Sequence, residues 1–451
     1  MQLQIYKKSV IMLYRKIENQ INSHLTSGND KILVVDGARQ IGKTYIIRHV
    51  GKRLFPNFIE INMETDKVGK RIFADVRTTQ DFYMALSTIA GERMRDRETT
   101  LVFIDEIQAY EQMLTLLKFL RDENRYTYIA SGSMLGIALR QTSSIPLGSI
   151  RILHMYPLDF EEFLIANGVG KLFIDNMREL FQNSSSLSEA LHNKIMDLFR
   201  KYLIVGGLPD AINTFVESQN IVEVRNVQQN VHHLYGVDAA RYEEHRRLKI
   251  QRIYGMIPSN LERQKKRIVA NEIEQKQGKR MTNYADEFDY LVSSGVAIET
   301  RAISQPTYPL LESSGKNLLK LYMNDVGILT GLLYRNNIQP IMNDVRSVNL
   351  GSVYENVVAQ ELYAHGLSLY YYDNKKNGEV DFLFDDTENM SVLPIEVKSG
   401  KDYTVHSALD RFMNGGLYNV KRAFVLSNER EVYNKNNITY LPIYYAMFLS
   451  L

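Results

Sequence analysis

Short apolar runs alternate with amphipathic stretches over the N-terminal part of the chain. The runs predict five β-strands, at residues 31–36, 57–62, 101–105, 126–131 and 150–154. Apolar residues recur at helical spacing in residues 43–53, 79–90 and 111–121, and residues 1–30 also have the pattern of an amphipathic helix. Buried strands separated by helices are typical of a parallel sheet that helices cover on both faces. The pattern therefore predicts an N-terminal α/β domain over residues 1–165.

The rest of the chain changes character twice. Residues 160–235 have helical periodicity, interrupted at 183–188 (NSSSLS) and at 206–209 (GGLP). Residues 240–300 hold three helical patterns and then a strand-like run, an order that is typical of a winged helix. A helical pattern over 320–333 and a helix at 352–365 then precede strands near 368–372, 379–384, 392–398 and 422–427. We predict three domains, at 1–165, 166–318 and 319–451, which suits 451 residues at about 150 per domain.

Composition and charge remove several classes of function. The chain has 54 Lys and Arg against 52 Asp and Glu, so any contact with nucleic acid must use a local basic patch. It contains no Cys, which excludes disulfides, thiolate nucleophiles and Cys-ligated metal sites. Its apolar runs fall short of the ~18–20 residues that span a bilayer, and the run before Arg15 is too short for a secretory signal. We expect a cytoplasmic protein without a membrane partner.

Residues 37–44 match the pattern G-x-x-x-x-G-K-[ST] in full, directly after the first predicted strand. Gly37 and Gly42 let the backbone curl so that successive N–H groups point at phosphate oxygens. Lys43 would reach the β- and γ-phosphates, and Thr44 would open the next helix and give its hydroxyl to Mg²⁺. A plain glycine-rich turn is the alternative, but the flanking strand and helix favour a phosphate site. The predicted nucleotide-binding residues here are Gly37, Ala38, Arg39, Gln40, Ile41, Gly42, Lys43, Thr44 and Tyr45.

Two acidic residues end the third predicted strand. Residues 101–106 read LVFIDE, which puts Asp105 and Glu106 at the carboxyl end of a buried strand. There Asp105 can hold Mg²⁺ through its water shell and Glu106 can polarise the attacking water, while Lys43 stabilises the phosphates. An apolar strand tipped by acids can also mark only the point where a strand meets solvent. Its position after the phosphate loop favours ATP hydrolysis, with ATP and Mg²⁺ as cofactors.

Four motifs give this region a resemblance to the AAA+-like P-loop ATPases of bacteria and archaea. They are Arg39-Gln40, Asp105-Glu106, Ser131-Gly132-Ser133 and the stretch YPLDFEEF at 156–163. The resemblance implies that Ser131 or Ser133 senses the γ-phosphate, and a turn that only caps the next helix is the alternative. Many relatives carry Gly-Arg where this chain has Gly148-Ser149. No arginine finger is assigned for that reason, and Arg140 and Arg151 are only candidates.

A second set of charged residues lies near the C-terminus. Residues 379–383 read EVDFL and residues 394–400 read PIEVKSG. Alternate residues of a strand face the same side, so Glu396 and Lys398 should project together. With Asp381 on the preceding strand and Glu355 on a helix, this is the layout of the PD-(D/E)xK nuclease core. Asp381 and Glu396 would bind Mg²⁺ with support from Glu355, and Lys398 would act catalytically by orienting the attacking water. The alternative is a half-exposed strand whose Glu and Lys face solvent.

The same region resembles a C-terminal domain of unknown function that those ATPases carry. The matching stretches are YEN at 354–356, EVDF at 379–382 and IEVKSG at 395–400. With GGLP at 206–209 and LYMNDVGIL at 321–329, the resemblance covers nearly the whole chain. It implies an α/β multidomain fold with an N-terminal P-loop NTPase parallel sheet, a helical and winged-helix-like middle, and a C-terminal restriction-endonuclease-like α/β domain.

The middle of the chain has a local excess of positive charge. Residues 241–280 contain twelve Lys and Arg against five Glu, and Arg263, Lys265, Lys266 and Arg267 lie close together. A basic winged helix would contact DNA phosphates, and a solvated face that contacts a protein is the alternative. Two hypotheses of function follow: an ATP-driven enzyme that cleaves DNA, and an ATPase switch whose other domains only bind DNA or a protein partner. The sequence is compatible with an oligomer and does not specify one.

Overall fold

The computed structural model describes residues 12–133, 135–136, 148–238, 244–343, 350–400 and 402–450. The chain forms two compact units. The N-terminal unit consists of Arg15–Tyr156 together with Asp286–Val296, and the C-terminal unit contains Pro157–Ala285 and Ala297–Leu451. The N-terminal unit therefore takes in a segment far along the chain in addition to residues 15–156.

Both units contain strands and helices. The strands are β1 (Ile32–Asp36), β2 (Asn57–Asn62), β3 (Thr100–Asp105), β4 (Thr127–Gly132), β5 (Ile150–His154), β6 (Ala297–Gln305), β7 (Ser314–Met323), β8 (Leu369–Asn374), β9 (Gly378–Asp386), β10 (Ser391–Val397), β11 (Ala423–Ser427), β12 (Tyr433–Lys435) and β13 (Ile438–Pro442). The α-helices are α1 (Ile17–Thr26), α2 (Lys43–Leu54), α3 (Met63–Val68), α4 (Thr79–Ala90), α5 (Glu111–Glu123), α6 (Phe160–Ala166), α7 (Lys171–Gln182), α8 (Glu189–Val205), α9 (Pro209–Ser218), α10 (Ile221–Asp238), α11 (Glu244–Leu261), α12 (Ala270–Ile273), α13 (Ala285–Ser293), α14 (Val326–Tyr334), α15 (Gln339–Met342), α16 (Gly351–Ala364) and α17 (Ser407–Asn414). Within the described residues, none of these helices combines the length and the apolar character that crossing a membrane requires.

The N-terminal unit is built on a parallel sheet of five strands in the order β2-β3-β4-β1-β5. Every strand pairs in parallel with its neighbour, and β1 and β3 are buried along their whole length. The register sets Asn62 beside Asp105 and Asp36 beside Gly132, so the carboxyl ends of neighbouring strands meet at one edge. The predicted parallel sheet and its five strands are confirmed.

Local signals fix where the helices of this unit begin and end. α2 begins directly after Gly42, whose φ of 95° is a conformation that suits glycine. Before α4, the side chains of Thr78 and Asp81 each accept from the backbone N–H of the other, which forms a capping box. α5 ends at Glu123, and the following Asn124 has a φ of 54°. Of the helix predicted over residues 1–30, α1 is observed, and residues 1–11 lie outside the described residues.

The GGLP motif at 206–209 joins α8 to α9 within the C-terminal unit. Gly206 has φ of 72°, and a Cβ there would lie 2.3 Å from Oδ1 of Asp325. Gly207 donates its N–H to Oδ2 of Asp325 at 2.6 Å, and Asp325 also caps α14 by accepting from the Ile328 N–H. The packing of the two glycines against Asp325 therefore explains the GGLP motif together with the LYMNDVGIL motif, which contains Asp325.

The C-terminal unit holds a mixed sheet of eight strands in the order β12-β13-β11-β10-β9-β8-β6-β7. β10 pairs in parallel with β11 and antiparallel with β9, and β6 pairs antiparallel with β7. The helix predicted at 352–365 is α16, and the four strands predicted after it are β8, β9, β10 and β11. The α/β character of this region is confirmed, whereas its restriction-endonuclease-like identity is not.

The middle of the chain differs from its prediction in two respects. Residues 320–323, which we predicted to begin a helix, end β7 instead, and α14 begins only at Val326. The boundary predicted at residue 319 thus falls inside a strand. α11, α12 and α13 precede a strand in the predicted order, but that strand, β6, belongs to the eight-stranded sheet. The winged-helix assignment is therefore not confirmed.

Candidate functional site

The phosphate loop curls around the side chain of its own lysine. Gly37 has φ of 144°, and a Cβ on it would lie 2.2 Å from the carbonyl oxygen of Met155, so only glycine fits there. Lys43 is 6% exposed, and its Nζ donates to the carbonyl oxygens of Gly37 at 2.8 Å and Ala38 at 2.7 Å. Burial lowers the pKa of Lys43, and the nearby charge of Glu106 opposes this shift. The lysine can exchange two carbonyl partners for phosphate oxygens.

Asp105 is the centre of a hydrogen-bond cluster at the end of β3. Oδ2 accepts from Thr44 Oγ1 at 3.1 Å and from Asn62 Nδ2 at 3.0 Å. Ser131 donates its hydroxyl to Oδ1. Burial raises the pKa of Asp105, the hydrogen bond from Ser131 lowers it, and the charge of Glu106 raises it further. A cation would relieve the burial and the repulsion together, and hydroxyl and carboxylate oxygens are ligands that Mg²⁺ prefers. Thr44 and Asp105 therefore fit a magnesium ion.

Glu106 is held in place by two side chains. Its φ of 53° lies in the left-handed region, which is uncommon for a residue with a side chain. Its Oε2 accepts from Gln108 Nε2 at 2.5 Å and from Ser133 Oγ at 3.2 Å. A Cβ on Gly132 would lie 2.7 Å from Oε1 of Gln108, so a larger residue there would displace the end of this side chain. Sequence reasoning missed Gln108, and its place just after the acidic strand end was the available signal.

The other predicted residues of the loop divide into buried and exposed positions. Ala38 and Ile41 are buried, Arg39 is half-buried, Gln40 is exposed with φ of 63°, and Tyr45 is 44% exposed. Arg15, which the sequence did not single out, donates to the carbonyl oxygens of Ile41 at 2.8 Å and Tyr156 at 2.6 Å. Arg15, which lies just before α1, therefore connects the phosphate loop with the segment that follows β5. Arg140 lies outside the described residues, and Arg151 is exposed on β5.

The predicted C-terminal residues come together around the junction of β9 and β10. Lys398 Nζ lies 2.8 Å from Oε1 of Glu396, and Asp381 Oδ2 accepts from the Val397 N–H at 2.8 Å. Glu396 is 7% exposed, and within the described residues its Oε2 has no hydrogen-bond partner. Burial raises the pKa of Asp381, and the charges of Glu355 and Glu396 raise it further. We call Glu355, Asp381 and Glu396 the carboxylate cluster.

Two lysines that sequence reasoning did not connect with the carboxylate cluster contact Glu355. Lys266 Nζ pairs with Oε1 of Glu355, and Lys320 Nζ lies 3.8 Å from Oε2. Tyr322 donates its hydroxyl to the same Oε2 at 3.2 Å. Lys320 is fully buried and also lies 2.5 Å from Glu379. Burial opposes ionisation of Glu355, but Lys266 and then Lys320 outweigh it and hold the Glu355 pKa below its usual value.

The carboxylate cluster does not fit a metal ion in this arrangement. Across the part of the chain that the structure describes, no group of three or more His, Asp or Glu side chains is placed to hold one. Both oxygens of Glu355 already face Lys266 or Lys320 and Tyr322. Ammonium groups thus supply the positive charge that buried carboxylates need. No hydrolytic step can be derived from this arrangement.

Comparison with protein families assigns the parts of the chain separately. Residues 29–164 match the AAA domain family. The chain carries a P-loop ATPase domain of the AAA type. Residues 196–339 match a domain of unknown function (DUF8612), and residues 350–446 match a second one (DUF4143). The AAA domain contains every residue of the phosphate loop and of the Asp105 cluster. Neither of the other matches identifies a nuclease.

Solved structures show a looser likeness to the chain. The Walker-type ATPase PAby2304 of Pyrococcus abyssi is 14% identical with a TM-score of 0.43, over 71% of this chain and 96% of that one. The RuvB Holliday junction branch migration motor of Thermotoga maritima is 14% identical with a TM-score of 0.30, over 64% of this chain and 90% of that one. At these TM-scores neither likeness carries an argument. No curated protein sequence matches the chain.

Proposed function

We propose that this chain is an ATP-hydrolysing switch, in which the AAA domain binds and hydrolyses Mg²⁺–ATP and the C-terminal unit binds DNA. One observation carries the ATPase half of the proposal. Thr44 and Ser131 meet at Asp105 beside the phosphate loop, and Glu106 follows directly with its carboxylate oriented by neighbours. This is the arrangement that positions a magnesium ion and a general base around a γ-phosphate.

Each residue of the AAA domain then has a distinct task. Lys43 releases the carbonyl oxygens of its own loop and donates to the β- and γ-phosphates. Bound Mg²⁺ neutralises phosphate charge, and Thr44 and Asp105 would hold it. Glu106 accepts a proton from the attacking water. Ser131 is engaged by Asp105, so Ser133, which donates to Glu106, is the better candidate for sensing the γ-phosphate.

Cleavage of DNA by the C-terminal unit is the second candidate function. The contact of Lys398 with Glu396, next to the half-buried Asp381, favours it. Lys266 and Lys320 favour binding without cleavage, because they neutralise Glu355 of the carboxylate cluster without a metal ion. We therefore place DNA binding first. A protein partner is the alternative occupant of the C-terminal unit.

Measuring ATP turnover and plasmid integrity in the same reactions tests both halves. The reactions contain or lack Mg²⁺, Mn²⁺ and DNA. Glu106→Gln should keep nucleotide binding and lose turnover by about 100-fold or more, because only the general base is removed. Glu111→Gln, at an exposed position on α5, is the matched control and should turn over ATP like the wild type.

Two results of this experiment would contradict the proposal. Wild-type turnover in Glu106→Gln would remove Glu106 from its role as general base. Plasmid nicking that needs Mg²⁺ or Mn²⁺ and disappears in Asp381→Ala and Lys398→Ala would establish the nuclease and overturn binding without cleavage. We expect intact plasmid in every reaction.

A further inference from the structure

A cleft of about 560 Å³ in the C-terminal unit opens beside the carboxylate cluster. Residues 264–267, which follow α11, line it together with Leu318 of β7. The other lining residues run from the end of β8 to the start of β9 and are Asp373, Asn374, Lys375, Gly378 and Glu379. A volume of this size is typical of ligand sites in proteins. The cleft shares Lys266 with the carboxylate cluster, so the two features are continuous.

Positive charge dominates the lining of this cleft. Its charged residues are Lys265, Lys266, Arg267 and Lys375, with Asp373 and Glu379. Arg267 lies 3.5 Å from Asp373, and Glu379 lies 2.5 Å from Lys320, so both acids are already paired. Lys265 and Lys375 are exposed, and neither makes an ion pair with any residue that the structure describes. An anionic ligand would therefore meet two cations that pair with none of the described acidic residues.

Both segments that line the cleft are anchored. Asn374 Oδ1 accepts from the N–H groups of Lys376 at 2.9 Å and Asn377 at 3.3 Å, which closes the turn that carries Lys375. Arg411 donates to the carbonyl oxygen of Asn377 at 3.0 Å. On the other side, the Ile268 N–H donates to the carbonyl oxygen of Leu319 at 3.1 Å. Anchored backbones preorganise the lysines and lower the entropy lost on binding.

Lys266 connects the cleft with the carboxylate cluster. It lines the cleft, its side chain is 17% exposed, and it pairs with Glu355. A phosphate in the cleft would compete with Glu355 for this ammonium. Glu355 would keep the hydroxyl of Tyr322 and the charge of Lys320, so Lys266 can turn towards a phosphate without leaving a bare buried carboxylate.

We infer that this cleft binds the phosphate backbone of a DNA strand, with Lys265 and Lys375 as the main contacts and Lys266 shared between phosphate and Glu355. The inference rests on the proposed DNA-binding function and gives it a site. Cations from two separate segments along one groove suit a linear polyanion, as in grooves that track single-stranded nucleic acid. No metal ion is needed for this binding.

Fluorescence anisotropy with a labelled oligonucleotide, single-stranded or duplex, tests the site on the full chain in EDTA and without nucleotide. The variant is Lys265→Glu/Lys375→Glu, and the matched control is Lys118→Glu/Lys435→Glu, which changes the net charge equally at two exposed lysines outside the cleft. We expect the cleft variant to bind roughly tenfold more weakly or worse, with a salt slope smaller by about 2. The control should bind like the wild type, and all three should unfold at the same temperature.

The outcomes separate this site from the proposed function. If the wild type binds DNA and the cleft variant binds equally well, the site is refuted and the DNA-binding function stands. If the wild type does not bind DNA at low salt, the cleft site and the DNA-binding function are both refuted. The ATPase function of the AAA domain is tested separately by ATP turnover. Tripolyphosphate that binds in the cleft while DNA does not would show a site for free phosphates and overturn the inference. Polyglutamate that binds there while DNA does not would show a site for an acidic protein and overturn it equally.

Discussion

Gln108 supports a catalytic residue without belonging to any motif. It donates to the same oxygen of Glu106 as Ser133 does, and it contacts Ser133 as well. Loss of this donor leaves the longer hydrogen bond from Ser133 to orient the Glu106 carboxylate, which can then turn away from the attacking water more easily. Positioning within a fraction of an ångström is what makes a general base effective.

We expect Gln108→Ala to lower kcat for ATP by roughly 10-fold to 100-fold and to leave the Kd of ATP unchanged. Gln112→Ala is the matched control, since the Gln112 side chain donates a hydrogen bond elsewhere in the same unit, to the carbonyl oxygen of Ala74. Steady-state turnover and equilibrium binding of a fluorescent ATP analogue measure the two constants. A weaker Kd with an unchanged kcat would show that Gln108 serves the nucleotide and not Glu106.

His154 is paired with Asp36, the last residue before the phosphate loop. Its Nδ1 lies 3.3 Å from Oδ2 of Asp36, and this hydrogen bond raises the pKa of His154 while partial burial lowers it. A histidine whose pKa is raised on folding stabilises the fold fully below its unfolded pKa, and the contribution disappears as pH rises through the folded pKa.

Asp36→Asn should therefore lower the pKa of His154, because the ionised partner is removed and the burial remains. NMR titration of the His154 ring measures this directly. In chemical unfolding, the stability that wild type has over His154→Gln should shrink as pH rises from about 6 to 8. A His154 titration that is the same in Asp36→Asn and wild type would refute the pairing.

At the scale of elements, strands were predicted best where apolar runs were short and bounded. All five strands of the parallel sheet lie within a residue of their predicted ends. The signal is clearest in β1 and β3, where burial on both faces leaves a continuous apolar run. Residues 320–323 were misread as helix because LYM and the helix after it are equally apolar. Only pairing with β6 across the sheet identifies them as strand.

The functional residues were likewise predictable where they belong to short local motifs. Lys43, Thr44, Asp105 and Glu106 sit in local motifs with fixed chemistry, so the sequence predicts each role. Lys266 and Lys320 reach Glu355 from positions far away in the chain, and no local pattern predicts such a contact. Whether a carboxylate cluster binds a metal ion or a lysine depends on contacts of this kind, which a local sequence pattern does not contain.

The GGLP turn and α14 meet at Asp325, whose buried side chain can titrate. Burial raises the pKa of Asp325 from 3.8 to about 6, and the N–H groups of Gly207 and Ile328 limit the rise. An acid whose pKa is raised on folding stabilises the fold most below its unfolded pKa, and stability is lost as pH rises through the folded pKa. A shift of this size corresponds to about 3 kcal/mol.

Asp325→Asn imitates the protonated acid, so we expect its stability relative to wild type to improve as pH rises from about 4 to 7. Urea unfolding of both proteins across this range measures the difference. The comparison with Asn removes the contributions of other titrating groups, which are common to both proteins. A difference that does not change with pH would mean that Asp325 is ionised in the folded protein at every pH tested.

At the scale of the whole molecule, the N-terminal unit is completed by a segment from far along the chain. Asp286–Val296, which contains most of α13, belongs to the same compact unit as the phosphate loop. Gly295 has φ of 72°, and a Cβ on it would lie 3.1 Å from the backbone nitrogen of Ala38. That nitrogen belongs to the loop whose N–H groups are expected to face phosphate. A segment that continues directly into β6 thus borders the nucleotide site.

We therefore expect Gly295→Ala to weaken ATP binding, because the added methyl group displaces the Ala38 backbone or the segment that faces it. Gly278→Ala is the matched control: Gly278 has φ of 79°, and a Cβ there meets nothing within 4 Å. Both variants carry the left-handed strain of alanine, about 1–2 kcal/mol, so their unfolding temperatures should fall together. Only Gly295→Ala should raise the Kd of ATP in an equilibrium binding assay. Equal ATP affinity in the two variants would mean that the segment completes the fold of this unit and has no influence on its nucleotide site.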